Sequence, residues 1–160
     1  LIDATYFSCS GGKTENAVAV WGTDVPYLQT VDSPGEEFSV VYTDTVVFTP
    51  EEFVNKLGVH LSGSHESWFG SIVYTEGGGV QSISICGQVF SGTDMRMKLG
   101  LRSTAFSIET TDSEIRISTK GFGHRVGMSQ YGADAMGRSG KDFRQIPIVL
   151  LYIAFVNKST

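Results

Sequence analysis

The part of the chain that most constrains its fold is the glycine-rich stretch from Gly121 to Ala133, GFGHRVGMSQYGA, which begins with three glycines in seven positions. Glycine permits sharp turns and close approach of the backbone to a ligand, so the stretch predicts a tight loop. Four of its side chains can form hydrogen bonds: His124, Ser129, Gln130 and Tyr131. Among these residue types only histidine changes charge near neutral pH, which makes the loop a candidate functional site.

A helix is predicted to follow this loop, from Ser129 as N-cap to Gly137 as the terminating residue. The positive end of that helix disfavours the charged form of His124, so we expect a neutral imidazole at pH 7. The loop alone does not establish a function. A glycine-rich connection before a helix is often only a turn, a single histidine is more often structural than catalytic, and the glycine spacing is not that of dinucleotide-binding loops.

Length and charge limit the possible functions. At 160 residues the chain is long enough for one domain with its own core. Its net charge of −5 argues against a protein that tracks nucleic-acid phosphates. No apolar run approaches the roughly twenty residues of a membrane helix, and no signal peptide opens the chain. Because it begins at Leu1 without Met, we expect a fragment of a longer protein.

A second polar, glycine-containing stretch runs from Ser8 to Asn16. It is either a surface turn, which serine, glycine and asparagine favour, or one wall of a carbohydrate cleft. Sugars are bound by polar side chains with aromatic faces beneath the ring, and Tyr6, Trp21 and Tyr27 either supply such faces or belong to the core.

The remaining pattern predicts an α+β fold in which short antiparallel strands and a few short helices surround one groove, as a single domain over residues 1–160. Besides Ser129–Gly137, helices are expected near Thr49–Leu57, where Thr-Pro-Glu-Glu is a strong start, and near Ser91–Leu99. Strands are expected at Leu1–Ser8, Phe38–Phe48, Ser71–Thr75, Gln81–Cys86, Gln88–Phe90, Phe106–Ile108 and Ile115–Ile117.

The cysteines and histidines show no recognisable zinc spacing. Cys9 and Cys86 lie outside any Cys-x-x-Cys or Cys/His cluster, and they form either one disulfide or two free thiols, of which we favour the thiols. His60, His65 and Glu66 lack metal-ligand spacing on any one element, so we expect them on the solvated surface. No metal or other cofactor is expected in this chain.

Three segments together resemble the SpoIID/LytB family. Gly123–Ala133 matches its GHGVGMSQYGA motif, except that Arg125 stands where the family usually has glycine. Tyr6–Leu28 is similar to the family's YFHSSSGGxTEN, VWG and VPYL motifs, and Phe90–Ser103 is similar to a segment of the type FSGxxxRxxLGLRS.

The end of the chain departs from the family. The resemblance extends to about Ile146, after which the ten-residue apolar run Pro147–Val156 stands where members have a helix leading to a His-Tyr-Tyr segment. The run is too short to span a bilayer, and it is either a buried strand or an altered reading of the coding sequence.

The resemblance implies a peptidoglycan enzyme. SpoIID-type proteins are lytic transglycosylases, which cleave between N-acetylmuramic acid and N-acetylglucosamine in strands whose stem peptides an amidase has removed. The product carries a 1,6-anhydro ring, because the sugar's own 6-hydroxyl closes on C1 while a carboxylic acid protonates the leaving oxygen. One acid can therefore suffice.

The family's general acid, a glutamate in a helix of the type EYLxGVVAAEM, belongs to an upstream segment, as does a zinc-binding Cys/His loop of some members; neither occurs in this chain. Glu15 is the only acid inside a matched motif. The resemblance implies His124, Gln130 and Glu15 as candidate catalytic residues. The implied substrate-binding residues are Tyr6, Ser8, Ser10, Thr14, Asn16, Ser129 and Tyr131.

Two functional classes remain open. The chain is part of a lytic transglycosylase, or it belongs to the LytB-like amidase-enhancer branch, which binds wall glycan or an amidase without chemistry of its own. Expected partners are glycan strands, an amidase and other sporulation wall-remodelling proteins, and no nucleic acid. The resemblance places the whole protein outside the cytoplasm in the cell envelope, anchored by an N-terminal membrane segment that is not in this chain. A β-rich module with only a structural role would require the two long matches, at Tyr6–Leu28 and Gly123–Ala133, to be accidental.

Overall fold

The computed structural model describes residues 4–150, with side chains for residues 4–147. Within this range the α+β prediction is confirmed, because short strands form three small sheets with short helices around them. The strands are β1 (Tyr6–Phe7), β2 (Thr43–Phe48), β3 (Phe69–Tyr74), β4 (Val80–Ile85), β5 (Gln88–Ser91), β6 (Phe106–Thr110), β7 (Ile115–Lys120) and β8 (Met128–Ser129). The helices are α1 (Ala17–Trp21), α2 (Pro50–Leu57), α3 (Gly92–Leu99), α4 (Gln130–Arg138) and α5 (Gln145–Leu150), with one turn of 3₁₀ helix at His65–Ser67.

Two of the sheets are antiparallel, with strand orders β2-β7-β6 and β3-β4-β5. The third joins β1 to β8 in parallel, with Tyr6 opposite Met128 and Phe7 opposite Ser129. A parallel pair needs a long connection, and here most of the described chain lies between the two strands. This pair brings the two glycine-containing polar stretches of the sequence side by side.

Alternating apolar residues on the strands build the main core. Ile115 and Ile117 of β7 and Ile83 and Ile85 of β4 are fully buried, and α2 adds Phe53. Each such side chain contributes about 1.5–3 kcal/mol through its removal from water. A second, smaller core packs beside the polar stretches and consists of Ala17, Leu28 and Val126.

Three helices lie where the sequence predicts them, each beginning at a hydroxyl cap. Before α2, the Thr49 hydroxyl accepts a hydrogen bond from the N–H of Glu52, and the Glu52 carboxylate accepts one from the N–H of Thr49. Ser91 caps α3 and Ser129 caps α4 through their hydroxyls. Helix α4 ends one residue beyond Gly137.

The predicted strand Phe38–Phe48 is wrong in its first half, since only Thr43–Phe48 is a strand. Upstream of it, the N–H of Ser39 donates to the carbonyl of Glu36, and the N–H of Tyr42 donates to the carbonyl of Ser39. Two successive turns therefore replace the extended chain and place Glu36 inside the protein.

The two ends of the chain also differ from prediction. Strand β1 is shorter than the expected Leu1–Ser8, whose first three residues lie outside the described range. A buried strand was one of the two alternatives for the apolar run Pro147–Val156. It is wrong for the described part of the run, which begins inside helix α5. The Asp142 carboxylate accepts the N–H groups of Arg144 and Gln145 and so starts this helix. The remainder of the run lies outside the described residues.

The guanidinium of Arg125 is buried between the two polar stretches, with 2% of its side chain exposed. Its Nε donates to the carbonyl of Ser10, and its Nη2 donates to the carbonyls of Lys13 and Gly77, each at 2.7 Å. Its Nη1 donates to Oε1 of the buried Glu15 at 3.3 Å, which makes an ion pair. The Arg125 side chain thus connects the stretch Gly121–Ala133, to which it belongs, with the stretch Ser8–Asn16 and the β3–β4 turn.

The backbone of Arg125 lies in the left-handed region, at φ 65°. This conformation costs a non-glycine residue about 1–3 kcal/mol, which explains why a family motif would carry glycine there. Burial lowers the pKa of Arg125 and the charge of Glu15 opposes that shift, but an arginine stays charged at any ordinary pH. The buried hydrogen bonds of the guanidinium offset the backbone strain.

Glu36 makes a second buried connection. Its Oε2 accepts hydrogen bonds from the N–H and hydroxyl of Ser10 (2.8 Å each), the N–H of Gly11 (3.0 Å) and the thiol of Cys9 (3.2 Å). Its Oε1 accepts the hydroxyl of Ser33 at 2.7 Å. Burial raises the pKa of the Glu36 carboxyl, but the hydrogen bonds from surrounding hydroxyls and the thiol outweigh burial and hold that pKa below its ordinary value.

Close packing around this carboxylate explains a glycine in the motif. A Cβ at Gly132 would lie 2.7 Å from Oε1 of Glu36 and against the Ser33 hydroxyl. Because Gly132 is in the first turn of α4, the carboxylate also lies at the positive end of that helix. At Gly121, where φ is 80°, a Cβ would lie 2.7 Å from the carbonyl oxygen of Cys9.

We predict that Arg125→Met destabilises the protein by about 3–5 kcal/mol, because it leaves the buried Glu15 carboxylate without its cation. Combining it with Glu15→Gln should cost less than the sum of the two single changes, since neither charge then remains. Urea denaturation of the wild type, both single variants and the double variant measures the coupling. Strictly additive effects would contradict the ion pair.

Glu36 generates a prediction about pH. A carboxyl with a lowered pKa in the folded state stabilises the fold above its unfolded-state pKa, and that stabilisation is lost as pH falls through the folded-state value. Glu36→Gln should therefore destabilise the protein at pH 7 by about 1–3 kcal/mol. The difference from wild type should shrink below the ordinary carboxyl pKa of 4.5.

Thermal melting from neutral to acidic pH tests this prediction. The matched control is Glu37→Gln, because Glu37 is the exposed neighbour of Glu36 in the same turn and should have little effect at any pH. A wild-type advantage over Glu36→Gln that stays constant down to strongly acidic pH would disprove the assigned role of Glu36.

Candidate functional site

The two polar stretches predicted to form a site are in direct contact. The N–H groups of Cys9 and Phe122 each donate to the other's carbonyl, at 3.1 and 2.7 Å. The N–H of Glu15 donates to the carbonyl of Arg125 at 2.6 Å. His124 lies in the sequence between Phe122 and Arg125, which make these contacts, so its side chain emerges where the two stretches meet.

His124 is half-buried between two aromatic rings. Its ring centroid lies 5.5 Å from that of Phe7, edge to face, and 5.3 Å from that of Trp21. Its Nδ1 accepts the N–H of Val126 at 3.1 Å, which assigns the proton of the neutral ring to Nε2. The surrounding contacts therefore fix both the position and the tautomer of the imidazole.

Burial is the main reason that the pKa of His124 lies below its ordinary value. A hydrogen bond to the Tyr6 backbone acts in the opposite direction, and the positive charge of Arg96 adds to the lowering. The imidazole is thus neutral at pH 7, as predicted, although burial rather than the dipole of the following helix is the largest cause.

Trp21 is positioned by Asn16, the last residue of the stretch Ser8–Asn16. The Asn16 side chain accepts the N–H of Ala19 at 2.7 Å and so caps α1, a helix that sequence reasoning missed. The helix is five residues long and ends at Trp21, which is followed by Gly22 in the left-handed conformation. The Asn-to-Trp-Gly spacing thus sets where the indole lies against His124.

Exposed aromatic side chains lie on the segments that contact or flank His124. Tyr6 is 62% exposed, Trp21 45% and Phe122 41%. Aromatic rings that remain exposed beside a fixed polar group form an amphipathic surface, on which a ligand with apolar faces and polar edges can stack. A sugar ring is such a ligand.

Two arginines form one edge of this surface. The Arg102 guanidinium lies 5.6 Å from the centroid of the Phe122 ring and makes an ion pair with Asp44 at 3.3 Å. The Arg102 carbonyl accepts both the N–H of Gly123, at 3.0 Å, and Nε of Arg96, at 3.2 Å. The loop that carries His124 is thereby tied to α3.

Several predicted site residues are buried in contacts within the protein and do not face solvent: Ser10, Thr14, Glu15 and Ser129. The Ser10 hydroxyl is bonded to Glu36, and the Thr14 hydroxyl is bonded to the backbone of Val31. The other predicted site residues are half-buried or exposed: Tyr6, Ser8, Asn16, His124, Gln130 and Tyr131.

Glu15 is 1% exposed, and both of its oxygens lie inside the protein. Its Oε1 accepts the hydroxyl of Thr75 at 2.7 Å and the N–H of Gly79 at 3.0 Å, in addition to Arg125. Its Oε2 has no hydrogen-bond partner among the described residues and packs against Gly77. A carboxylate placed in this way is not presented to a sugar.

Gln130 and Tyr131 contribute to a different part of the surface. Together with Asp134 they line a hollow of about 290 Å³, and the Tyr131 ring lies edge to face with Phe38, with centroids 5.8 Å apart. A larger groove, about 470 Å³, lies elsewhere, between the β3–β4 turn and the β2-β7-β6 sheet. We place the candidate site at His124, because the groove contains no residue of either polar stretch.

The described residues do not fit a zinc site. No group of three or more His, Cys, Asp or Glu side chains within them could hold a metal ion. Cys9 and Cys86 are free thiols, and burial raises the pKa of Cys9 to about 12, which disfavours the thiolate that zinc requires. No helix in the described part of the chain is long and apolar enough to cross a membrane.

Sequence reasoning missed Glu36, Phe122, Arg96 and Arg102 as site-forming residues. The two arginines lie within the segment that resembles a family pattern, so that segment was a usable signal. No local signal marks Glu36, which follows an ordinary Pro-Gly turn.

Comparison with known proteins identifies relatives of the chain. It is 47% identical over 141 residues to stage II sporulation protein D of Bacillus subtilis (strain 168), and 46% identical over 146 residues to that of Bacillus amyloliquefaciens. These matches cover 88% and 91% of this chain but 40% and 42% of the relatives, so the chain spans about two fifths of their length.

More distant relatives include the amidase enhancer of Bacillus subtilis (strain 168), which is 25% identical over 91% of this chain and 28% of its own length. A scan against protein-family models found no match. The first two relatives match at 47% and 46% identity across nearly nine tenths or more of this chain. The chain therefore belongs to the family of stage II sporulation protein D.

Proposed function

We propose that this chain is part of a lytic transglycosylase that remodels the cell wall in sporulation, and that it supplies the glycan-binding surface around His124. The names of its relatives support a role in sporulation and the cell wall. The observation that carries the proposal is the fixed, neutral His124 beside the exposed rings of Tyr6, Trp21 and Phe122. The substrate is a glycan strand whose stem peptides an amidase has removed.

In this proposal His124 is a positioning residue. It holds Val126 and the Tyr6 backbone through its polar atoms and supports Trp21 with its ring face. Because the ring is neutral, it adds no charge that would repel the positive charge developing on the sugar in the transition state. Errors of about 1 Å in such a scaffold cost roughly 10²-fold in rate.

The proposed reaction needs a carboxylic acid that protonates the leaving oxygen. Glu15 and Glu36 are both buried and committed to internal hydrogen bonds. We therefore propose that the acid comes from a segment outside this chain, while the two carboxylates inside it hold the binding surface together.

The same observation supports a second candidate function. A chain whose buried carboxylates are structural, and whose exposed surface is aromatic, is also suited to binding wall glycan without cleaving it. The distant similarity to a protein named amidase enhancer points in that direction. In that case the module would recruit glycan for an amidase.

Mass spectrometry of amidase-treated sacculi after digestion by the whole protein separates the two functions. Products with 1,6-anhydro ends support the transglycosylase, and intact strands that co-sediment with the protein support the binding module. Neither cleavage nor binding would reject both.

We predict that His124→Ala in the whole protein lowers glycan cleavage by about 10–100-fold, because the loop and Trp21 lose their support. His124→Gln keeps a donor and an acceptor and should retain more activity than the alanine variant. Initial rates, measured beside thermal melting, test this. Equal rates for all three proteins would remove His124 from the site, and a collapse of the melting temperature in the alanine variant would make its role structural.

Trp21→Ala should weaken equilibrium binding to denuded glycan by about tenfold under either function, because it removes an aromatic face worth about 1.4 kcal/mol. Tyr74→Ala is the matched control, since Tyr74 is 55% exposed, lies on β3 and lines the groove that contains no residue of either polar stretch. A larger loss in the Tyr74 variant would move the binding surface to the groove beside β3.

A further inference from the structure

We infer that Arg96 binds the lactyl carboxylate of an N-acetylmuramic acid residue whose stem peptide has been removed. The inference rests on the proposed function and adds a determinant of specificity to the same site. It explains in chemical terms how the surface around His124 would distinguish a denuded glycan strand from one that still carries peptides.

Arg96 is held beside the loop that carries His124. Its Nε donates to the Arg102 carbonyl, which also accepts the N–H of Gly123, the residue before His124. Its charge is close enough to His124 to disfavour protonation of the imidazole. Helix α3 therefore holds one guanidinium against the loop that presents the candidate site.

The two Nη groups of Arg96 are its remaining hydrogen-bond donors. Among the described residues, no carbonyl or carboxylate accepts a hydrogen bond from either Nη group of Arg96, and no acid forms an ion pair with it. The Nε bond orients the planar group and leaves an open edge, which is the geometry that takes a carboxylate through two parallel hydrogen bonds.

Neighbouring cations are committed elsewhere. Arg102 pairs with Asp44 and lies against Phe122, and the guanidinium of Arg125 is buried with Glu15. Asp94, on the same helix as Arg96, accepts the Ser91 hydroxyl at 2.7 Å. Arg96 is thus the cation beside His124 whose charge no described acid neutralises.

The lactyl group of muramic acid changes its charge when the stem peptide is removed. While a stem peptide is attached, the lactyl group of muramic acid ends in a neutral amide. Hydrolysis of that amide by an amidase leaves a carboxylate on the sugar. A guanidinium discriminates strongly between these two groups, because only the carboxylate accepts charge-assisted hydrogen bonds at both oxygens.

Equilibrium binding of the whole protein to two glycan preparations tests the inference. The first is soluble strands from amidase-treated sacculi, and the second is the same strands after carbodiimide coupling of their lactyl carboxylates to methylamine. Wild type should bind the free-carboxylate strands at least about tenfold more tightly, as expected for a hydrogen-bonded charge pair.

Arg96→Met should bind both preparations equally, with the affinity that wild type has for the methylamide strands. Arg96→Lys, which keeps the charge but not the planar fork, should show an intermediate preference. Arg116→Met is the matched control, because Arg116 is exposed on β7 and already paired with Glu114, and it should keep the wild-type preference.

Three outcomes would overturn the inference: no preference in wild type, a full preference retained by Arg96→Met, or an equal loss of affinity for both preparations in that variant. Binding of neither preparation by wild type would reject the proposed function itself. Thermal melting of each variant shows that a loss of preference occurs in a folded protein.

Discussion

The structure depends on how the irregular parts of two largely buried polar stretches satisfy backbone groups that no sheet or helix pairs. Arg125 provides hydrogen-bond donors for backbone carbonyls, and Glu36 provides an acceptor for backbone N–H groups. The guanidinium donates to the carbonyls of Ser10, Lys13 and Gly77, and the carboxylate accepts the N–H groups of Ser10 and Gly11. An unmet buried backbone group costs as much as a lost hydrogen bond, so these two charges determine whether the stretches can lie inside the protein at all.

Caps and hydrophobic alternation, which depend on residues close together in the sequence, predicted several helices and strands correctly. The hydroxyl caps at Thr49 and Ser129 identified two helices to within a residue, and the third helix lies where it was expected, near Ser91–Leu99. Alternation identified the strand around Ile115–Ile117. Short-range signals failed where distant parts of the chain decide the structure. The segment before Thr43 is rich in strand-forming residues, yet it turns, because Glu36 must reach the interior to bind Ser10.

The candidate site was located by its residue types but not by the direction of its side chains. Ser10 and Thr14 belong to a motif that suggests sugar contacts, and the structure uses their hydroxyls internally. An irregular loop has no two-residue or four-residue period from which facing can be read, so polarity alone could not separate inward from outward positions. Arg96 illustrates the reverse case, since its importance follows from a carbonyl six residues later in the chain.

The parallel pairing of β1 with β8 builds the surface around His124 from residues that are far apart in the sequence. Tyr6 and Phe7 come from the start of the described chain, and Met128, Ser129 and His124 come from near its end. Closing so long a loop has an entropic cost that contacts within the intervening sheets can offset, so we expect this surface to form late in folding. During synthesis from the N-terminus, this surface therefore stays incomplete until β8 has left the ribosome, and a chain that terminates before β8 lacks it.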